Sequence, residues 1–489
     1  MTNEKPNALK RRDALKMGVA LAARACLPIS HAIGAERLIA KVSKNQEPAA
    51  SFKRRYRHLY HQSLVYKIMI GGKTGTRFLQ MDEALGIVKQ TAVFTRGLKQ
   101  IVFMVGWQFG GHDSKYPAWS EVNPHIKMPG DPDARTSLVW FMNEARKHNA
   151  VVSVHVNPTD AYENSPLWQS YVRNDLIQKN ADGSLKKGGM AGGEQTYQVC
   201  KTREWQTGYL QKRIDGLLDL LPIRESGTIH LDAFVASDDP GHGITAEDEL
   251  NAMAEAVKYW GSRGVDVTSE DFNYRFIHLI PMVLHLNLEE RGRLMYPPQV
   301  ICGGGCQSNA RYGIYGHGRY PELSRPEGGC LYEEAWGLSV DMDVFGVRTV
   351  PQLAEEFFLK TLPWHYLNQS CPLQMLETAE SYEVFFENGA RTRVTHGDFR
   401  VTLQHMDRVY ADGTDVFVPA MWLKKECITF SLKGCRRTWK LPPDWGNIGS
   451  VLVTQIYPLG GHQPKRVSVI DGMVEIELLP KHASSVNAA

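Results

Sequence analysis

The fold is decided by two short stretches, TIHLDAF at residues 228–234 and VDVTSE at residues 265–270. Each is a strand-like run that ends in a carboxylic acid, Asp232 in the first and Glu270 in the second. Between them, residues 246–263 place apolar side chains at helical spacing. A strand, an amphipathic helix and a second strand in this order predict a parallel βαβ unit.

The same alternation extends outward, from about residue 60 to residue 350. Further strand-like runs lie at residues 64–70, 100–105, 150–156 and 299–302, and further helical patterns lie at residues 133–148 and 205–221. Continuous apolar runs are typical of parallel strands that are buried on both faces. This length of alternating pattern favours a (β/α)8 TIM-like barrel over an open sheet.

A different pattern begins near residue 380. Short strand-like runs lie at residues 381–386, 399–405, 428–432, 451–456 and 473–478. Asn-Gly or Asp-Gly pairs between or beside these runs are hairpin signals, because both residue types tolerate positive φ. The sequence therefore predicts a (β/α)8 barrel over residues 36–378 and a C-terminal antiparallel β-sandwich domain over residues 379–489. With no low-complexity linker between them, the two domains are expected to pack closely.

Composition excludes several classes of protein. The chain is 43% hydrophobic and 22% charged, which rules out a disordered, collagenous or coiled-coil chain. A net charge of +3 gives no electrostatic reason to expect a nucleic acid partner. No run past the N-terminus approaches the roughly 18 apolar residues that a membrane helix needs, so membrane insertion is not expected.

Residues 1–35 have the order of a twin-arginine export signal. Arg11 and Arg12 precede a weakly apolar segment at residues 17–30, and small residues at 32–35 offer a cleavage site. This pattern predicts a periplasmic or secreted protein, and the alternative is a cytosolic amphipathic helix. Arg24, inside the apolar segment, counts against a signal.

The cysteines give no clear framework. Seven lie beyond the predicted signal, and none forms a CxxC pair, so neither a disulfide framework nor a zinc motif is evident. Cys302 and Cys306 flank three glycines and can form a bridge or a metal corner, but buried thiols are the favoured interpretation.

Polar residues that follow barrel strands are the candidate site, because barrel chemistry gathers at the carboxyl ends of the strands. The loop after residues 100–105 supplies Trp107, Gln108, His112 and Asp113. An aromatic face with paired donors and acceptors suits a sugar. The alternative is that His112 and Asp113 cap a helix.

The next strand ends in His155 and is followed by Asn157 and Tyr162. These residues can extend the same sugar site. Alternatively, His155 is a hydrogen-bonded core histidine and Asn157 belongs to a turn.

Asp232 and Glu270 are separated by one strand-helix-strand unit, so neighbouring strands can bring them to one mouth. Two carboxylates in one cleft can divide the work of glycoside cleavage, at separations of about 5 to 5.5 Å for retention or roughly 6.5 to 9.5 Å for inversion. Sequence spacing does not choose between these distances. The alternative is that Asp232 caps the following segment and Glu270 is a solvated loop acid.

Taken in order, these motifs resemble glycoside hydrolase family 101, the endo-α-N-acetylgalactosaminidases. The motifs that carry the resemblance are GWQ at 106–108, GHDS at 111–114, HVN at 155–157, Asp232, Glu270, EAWG at 334–337 and TWKLPPDW at 438–445.

The resemblance implies a distorted (β/α)8 barrel followed by β-domains. It implies a retaining hydrolase that releases α-linked N-acetylgalactosamine, usually capped by β1,3-galactose, from Ser or Thr of mucin-type glycoproteins. Asp232 matches the family's nucleophile and Glu270 its acid/base. The matched sugar-contacting positions are His112, Asp113 and Asn157, with Glu334 and Trp336 near the site. The implied partner is an O-glycosylated protein, a glycopeptide or a derived oligosaccharide, and no metal or organic cofactor is expected.

The chain also departs from the family. Residues 182–193 replace a tryptophan-rich lid with a glycine- and lysine-rich segment, and the Trp-Gly that commonly follows the acid/base is missing. Two alternatives therefore stay open: an exo-acting α-glycosidase of different sugar specificity, and a non-catalytic glycan-binding protein on a decayed barrel.

Overall fold

The computed structural model describes residues 37–41, 56–73, 77, 79–191, 193–286, 294–303, 336–340, 350–395, 400–460 and 463–488. The predicted export signal, Cys306 and Glu334 lie outside these residues. Trp336 is described in its backbone only. Within the described residues, no helix combines the length and the apolar character that a membrane crossing requires.

The strands within these ranges, in chain order, are β1 (Arg37–Lys41), β2 (Leu64–Met69), β3 (Gln100–Val105), β4 (Ala150–Val156), β5 (Asp160–Ala161), β6 (Lys187–Ala191), β7 (Glu194–Gln198), β8 (Thr228–Leu231), β9 (Asp266–Asp271), β10 (Met282–His285), β11 (Cys302–Gly303), β12 (Trp336–Val340), β13 (Pro372–Glu377), β14 (Ser381–Phe386), β15 (Ala390–Thr395), β16 (Val401–His405), β17 (Arg408–Asp412), β18 (Asp415–Pro419), β19 (Glu426–Ser431), β20 (Cys435–Lys440), β21 (Ser450–Tyr457), β22 (Lys465–Ile470), β23 (Met473–Leu478) and β24 (His482–Ala488).

The α-helices in the same ranges are α1 (Met81–Phe94), α2 (Ala134–Arg146), α3 (Trp168–Arg173), α4 (Lys201–Gln206), α5 (Tyr209–Leu220), α6 (Ile223–Ser226), α7 (Ala246–Ser262), α8 (Val350–Glu356) and α9 (Leu362–Leu367). A π-helical turn at Phe357–Thr361 joins the last two.

Eight strands form one parallel sheet in the order β11-β10-β9-β8-β4-β3-β2-β12. Every residue of β2, β3 and β4 is buried, which explains their continuous apolar runs. Helices α1, α2 and α7 cross over between these strands, and α7 begins with a capping box formed by Thr245 and Asp248. The predicted TIM-like barrel is confirmed.

The C-terminal strands form an antiparallel sheet in the order β1-β13-β14-β15-β16-β17-β18-β19-β24-β21-β22-β23-β20. The sheet folds onto itself, so that Phe417 on β18 stacks on Trp439 on β20 with ring centroids 5.5 Å apart. This contact joins the two layers of the predicted sandwich. Asp471 and Gly472 both have positive φ at the β22–β23 turn, as the Asp-Gly signal predicts.

Two strands inside the predicted barrel range pair elsewhere. Strand β1 pairs with β13, and β13 pairs with β14 of the antiparallel sheet. The domain boundaries themselves stay a prediction. A small third sheet, in the order β5-β7-β6, was not expected from the sequence and lies beside the mouth of the barrel.

The barrel and the C-terminal sheet are in direct contact. Phe358, in the π-helical turn, stacks on Phe430 of β19 at 5.0 Å, and Arg96 forms a 2.6 Å ion pair with the buried Glu426. Close packing of the two domains is therefore confirmed.

Candidate active site

Asp232 and Glu270 emerge side by side from neighbouring parallel strands. Leu231 of β8 is in register with Ser269 of β9, so the next residues along the two strands, Asp232 and Glu270, also lie beside each other. Adjacent strands are about 4.8 Å apart, and residues in register point to the same face. Both acids therefore reach the same side of the barrel mouth.

A hydrogen bond links the two positions. The backbone N–H of Ala233, the residue after Asp232, donates to Oε2 of Glu270 at 3.3 Å. Ala233 has a φ of +47°, a left-handed conformation that costs a non-glycine residue roughly 1–2 kcal/mol. The hydroxyl of Thr159 donates to the Ala233 carbonyl and holds this turn from the other side. Strained backbone of this kind is characteristic of functional sites.

Both carboxylates retain contact with solvent. The Asp232 side chain is 14% exposed, and Glu270 is half-buried. Neither acid is enclosed in the hydrophobic interior, so a substrate can reach both.

A row of histidines lies beneath Asp232. Nε2 of His155 is 3.4 Å from Oδ2 of Asp232. The His155 ring also packs edge-on against His112 at 5.6 Å and lies in a tilted arrangement against His230 at 5.4 Å. His155 is therefore buried, as the structural alternative expected, and still touches the candidate nucleophile.

The loop after β3 reaches the mouth because two glycines pack against the backbone of residues 71–72. A Cβ on Gly106 would lie 2.0 Å from the carbonyl oxygen of Gly71, and one on Gly111 would lie 2.1 Å from that of Gly72. Both glycines have positive φ. This close approach directs His112 and Asp113, whose side chains are 3.5 Å apart, toward the acids.

Asp113 is electrostatically coupled to the site. The pKa of its carboxyl is raised to about 6, chiefly by burial; the ammonium of Lys73 opposes the rise, and the charge of Glu270 contributes to it. Asp113 can therefore change its charge near neutral pH while it faces the reacting groups.

Trp107 and Gln108 lie under the site. The Trp107 ring is fully buried, and its indole N–H donates to the carbonyl of His155 at 2.8 Å. Gln108 is 1% exposed. In this structure they support the loop from below, and their contact with a sugar stays a prediction.

Asn157 is engaged within its own loop. Its Oδ1 accepts the backbone N–H groups of Thr159 and Asp160, and its Nδ2 donates to Oδ2 of Asp160 at 2.8 Å. The expected turn is present. A sugar contact by Asn157 likewise stays a prediction.

Two buried tyrosines lie close enough to Asp113 and Asp232 to interact with their charges. Tyr116 and Tyr162 stack at 6.2 Å. Burial, then the carboxylates of Asp113 and Asp232, raises the pKa of Tyr116. Burial and nearby acids, Asp113 first among them, also raise the pKa of Tyr162. Both phenols are therefore neutral hydrogen-bond donors at physiological pH, and that of Tyr162 has no hydrogen-bond partner among the residues described.

Lys73 is a site residue that sequence reasoning missed. Its Nζ lies 4.1 Å above the Tyr162 ring, donates to the carbonyl of Ala191 at 2.6 Å and pairs with Glu194 at 3.1 Å. Ala191 and Glu194 belong to the β6–β7 hairpin, so Lys73 ties this segment to the mouth. The Gly-Gly-Lys sequence at 71–73, directly after a barrel strand, was the available signal.

The late barrel positions are only partly described. Strand β12, which begins at Trp336, pairs with β2 at one end of the described sheet. Glu334 lies outside the described residues, so the roles of both residues stay predictions.

Comparison with known proteins agrees with this arrangement. Residues 57–270 match the model of a glycoside hydrolase family described as endo-alpha-N-acetylgalactosaminidase. Two solved structures of the alpha-N-acetylgalactosaminidase NagBb from Bifidobacterium bifidum, a quadruple mutant and a GalNAc complex, each superimpose with a TM-score of 0.50 at 12% identity. Each match covers 72% of this chain and 59% of the NagBb chain. At this identity the likeness to NagBb shows a shared fold.

The barrel fold and the two acids at neighbouring strand ends are the arrangement expected of a glycoside hydrolase. More particularly, the resemblance to glycoside hydrolase family 101 is confirmed over residues 57–270, a segment that runs from the start of the barrel to Glu270 and includes both acids.

Proposed function

We propose that this chain is a retaining glycoside hydrolase that releases α-linked N-acetylgalactosamine, alone or capped by β1,3-galactose, from Ser or Thr of mucin-type O-glycans. The observation that carries the proposal is the pairing of Asp232 and Glu270 on adjacent strands, joined through the Ala233 N–H. The spacing of neighbouring strands, about 4.8 Å, favours the short carboxylate separation of a retaining enzyme, about 5 to 5.5 Å.

In the first step Asp232 attacks the anomeric carbon and forms a β-linked glycosyl ester. Glu270 donates its proton to the departing Ser or Thr oxygen, so the C–O bond breaks without expelling an alkoxide. His155, at 3.4 Å, orients the Asp232 carboxylate for attack.

In the second step Glu270, now ionised, removes a proton from water, which attacks the same carbon and releases Asp232. Esterification of Asp232 removes one negative charge from the mouth at this stage. The two inversions restore the α configuration.

Both hydrogen-bond donors and hydrogen-bond acceptors are available to hold the sugar. His112 and Asp113 offer acceptors and donors for ring hydroxyls, and the Tyr162 hydroxyl offers a donor.

Replacement of Asp232 tests the nucleophile. We expect Asp232→Ala to lower kcat on an aryl α-N-acetylgalactosaminide by at least about 10⁴-fold, because no ester can form. The matched control is Asp215→Ala, which removes a surface ion pair with Arg263 and is expected to retain activity. Substantial turnover by Asp232→Ala, with the fold verified by circular dichroism, would remove Asp232 from this role.

Replacement of Glu270 tests the acid/base. For Glu270→Ala the first step should be impaired less on a substrate with a good leaving group than on a serine-linked sugar, because the good leaving group needs little protonation. Azide should rescue the second step and yield an α-glycosyl azide, because it displaces Asp232 from the β-linked ester with inversion. Equal losses on both substrates would leave Glu270 a structural residue.

An exo-acting enzyme is the second candidate, and the composition of the segment at residues 182–193 favours it. Strands β6 and β7 form a hairpin beside the mouth, and the segment 182–193 supplies no tryptophan for stacking on a second sugar. Comparing an aryl α-N-acetylgalactosaminide with its β1,3-galactosylated form separates the two. Preference for the monosaccharide supports exo action, and binding without turnover on either identifies a glycan-binding protein.

We also propose that the chain is exported through its twin-arginine-type leader, because mucin-type substrates lie outside the cell. Replacement of Arg11 and Arg12 by lysine should retain the full-length chain in the cytoplasm. Unchanged fractionation of that variant would contradict export by this route.

A further inference from the structure

A second cluster of reactive side chains lies outside the mouth. Cys200 follows β7 and precedes α4, while Asp239 and His242 lie in the loop between β8 and α7. One donor atom from each residue falls within 4.8 Å of the other two. Thiolate, imidazole and carboxylate are the ligand types that Zn²⁺ takes in proteins.

The three side chains are withdrawn from water. Cys200 and the Asp239 side chain are fully buried, and the His242 side chain is 8% exposed. Nδ1 of His242 forms a 2.8 Å hydrogen bond with Oδ2 of Asp239, which a bound metal ion would replace. Two ligands of a tetrahedral zinc ion at about 2.0–2.1 Å lie roughly 3.3 Å apart, so only a small shift separates this pair from a ligand pair.

The other ring nitrogen of His242 faces Asp175. Its Nε2 is buried and has no hydrogen-bond partner among the described residues, and Oδ1 of Asp175 is 4.0 Å away. A carboxylate opposite the free N–H of a zinc-bound histidine is a common orienting partner. The ring is therefore placed to bind through Nδ1.

The charges around the cluster favour a dication. Glu249, fully buried, adds a second carboxylate 3.7 Å from the sulfur of Cys200. Lys201, 3.5 Å from Glu249, is the buried ammonium beside it. With Cys200 ionised, two carboxylates and a thiolate face the ammonium groups of Lys201 and Lys186, so the cluster carries a net negative charge that a divalent ion offsets. Buried charges are costly unless they are compensated in this way.

We propose that Cys200 Sγ, Asp239 Oδ2 and His242 Nδ1 bind a structural Zn²⁺ ion, with water as the fourth ligand. Glu249 is not that ligand, because the backbone N–H of Thr202 and the side chain of Gln178 already occupy its oxygens. On binding, the metal displaces the thiol proton into solvent. The proposal does not depend on the proposed glycosidase activity.

The ion would join Cys200, just after the β6–β7 hairpin, to the loop that follows Asp232. Gly241, between the two loop ligands, packs so closely on residues 179–180 that a Cβ there would lie 2.4 Å from Cβ of Lys179. The loop is thus held against the segment that leads into β6. A metal at this position stabilises the lid and the nucleophile loop relative to each other.

The first test measures metal binding by the full-length chain. Zinc chloride followed by gel filtration should leave one zinc per chain, and cobalt chloride should give a thiolate-to-cobalt charge-transfer band. Cys200→Ser should lose the band and bind zinc more weakly by over about 100-fold, beyond the roughly 10–100-fold typical for losing a ligand's hydrogen-bond partner. The matched control, Cys371→Ser, replaces another buried free cysteine and should retain both.

The second test needs no variant and covers the case in which Cys200→Ser fails to fold. A chelator should lower the Tm of the wild-type chain, and zinc chloride should restore it. Wild-type chain that takes up no zinc and gives no cobalt band would overturn the proposal, as would equal binding by the Cys200→Ser and Cys371→Ser chains.

Discussion

Asp113 is the residue at which stability and function oppose each other. Its pKa is raised from 3.8 to about 6, chiefly by burial. The folded chain keeps the proton up to about pH 6, whereas the unfolded chain releases it near pH 4. The ionised carboxylate is therefore destabilising, and the wild-type chain loses stability as pH rises across this window.

We predict that Asp113→Asn becomes more stable relative to wild type as pH rises from 4 to 8. The gain approaches about 3 kcal/mol as an upper bound, because the side chain is 27% exposed and partly screened. Tm measured at pH 4.5 and pH 8 checks this. Activity should fall, since an amide accepts sugar hydroxyls less strongly than a carboxylate. A Tm difference that is the same at both pH values would contradict the assignment.

The position of the loop after β3 depends on the close contact between Gly106 and the backbone of Gly71. Gly106 and Gly97 share a φ of +79°, but only Gly106 faces another backbone, the carbonyl of Gly71. Gly97→Ala should cost about 1 kcal/mol from backbone strain alone. Gly106→Ala should cost about 3 kcal/mol, because overpacking adds to the strain, and should lose activity with the position of Asp113. Equal loss of Tm in the two variants would exclude the steric account.

Lys73 connects the lid hairpin to the mouth. We predict that Lys73→Ala raises KM several-fold with little change in kcat, because the hairpin loses its contacts at Ala191 and Glu194. The acid limb of the pH profile should also move to higher pH, since Lys73 lowers the pKa of Asp113. The exposed Lys115→Ala is the control. Unchanged KM and pH profile in Lys73→Ala would remove Lys73 from the site.

The elements that the sequence predicts are those with a strong local pattern. Strands β3, β14 and β23 have the predicted bounds, and α2 and α7 lie within one or two residues of theirs. The β5-β7-β6 sheet was missed because its pairings join segments with no hydrophobic alternation, as at Lys187–Ala191. A local hydrophobic pattern reflects which side chains are buried, and the side chains of Lys187–Ala191 are mostly exposed.

The same limit applies to the site. Asp232 and Glu270 were found because each ends an apolar strand, so topology alone brings them together. Lys73 and the Cys200 cluster were not, because their contacts, Lys73 with Ala191 and Cys200 with Asp239 and His242, arise from tertiary packing of loops. Burial of Trp107 likewise depends on a neighbouring strand.

At the scale of the whole molecule, the barrel and one face of the C-terminal sheet share a single hydrophobic core. Phe430 belongs to this core with residues of α1 and the π-helical turn, whereas Phe417 belongs to a separate core inside the sandwich. Phe94 and Phe358 extend the contact to Tyr457 of β21. The two domains are therefore expected to unfold together.

The last prediction uses this division. Phe430→Ala should cost about 3–5 kcal/mol and separate one calorimetric transition into two, because it removes a ring from the shared core. Phe417→Ala deletes an equally buried ring from the sandwich core. It should lower the Tm by a similar amount and preserve a single transition, since the contact between domains is intact. Two transitions in Phe417→Ala, or one in Phe430→Ala, would show that cohesion of the domains lies elsewhere, for example in the Arg96–Glu426 ion pair.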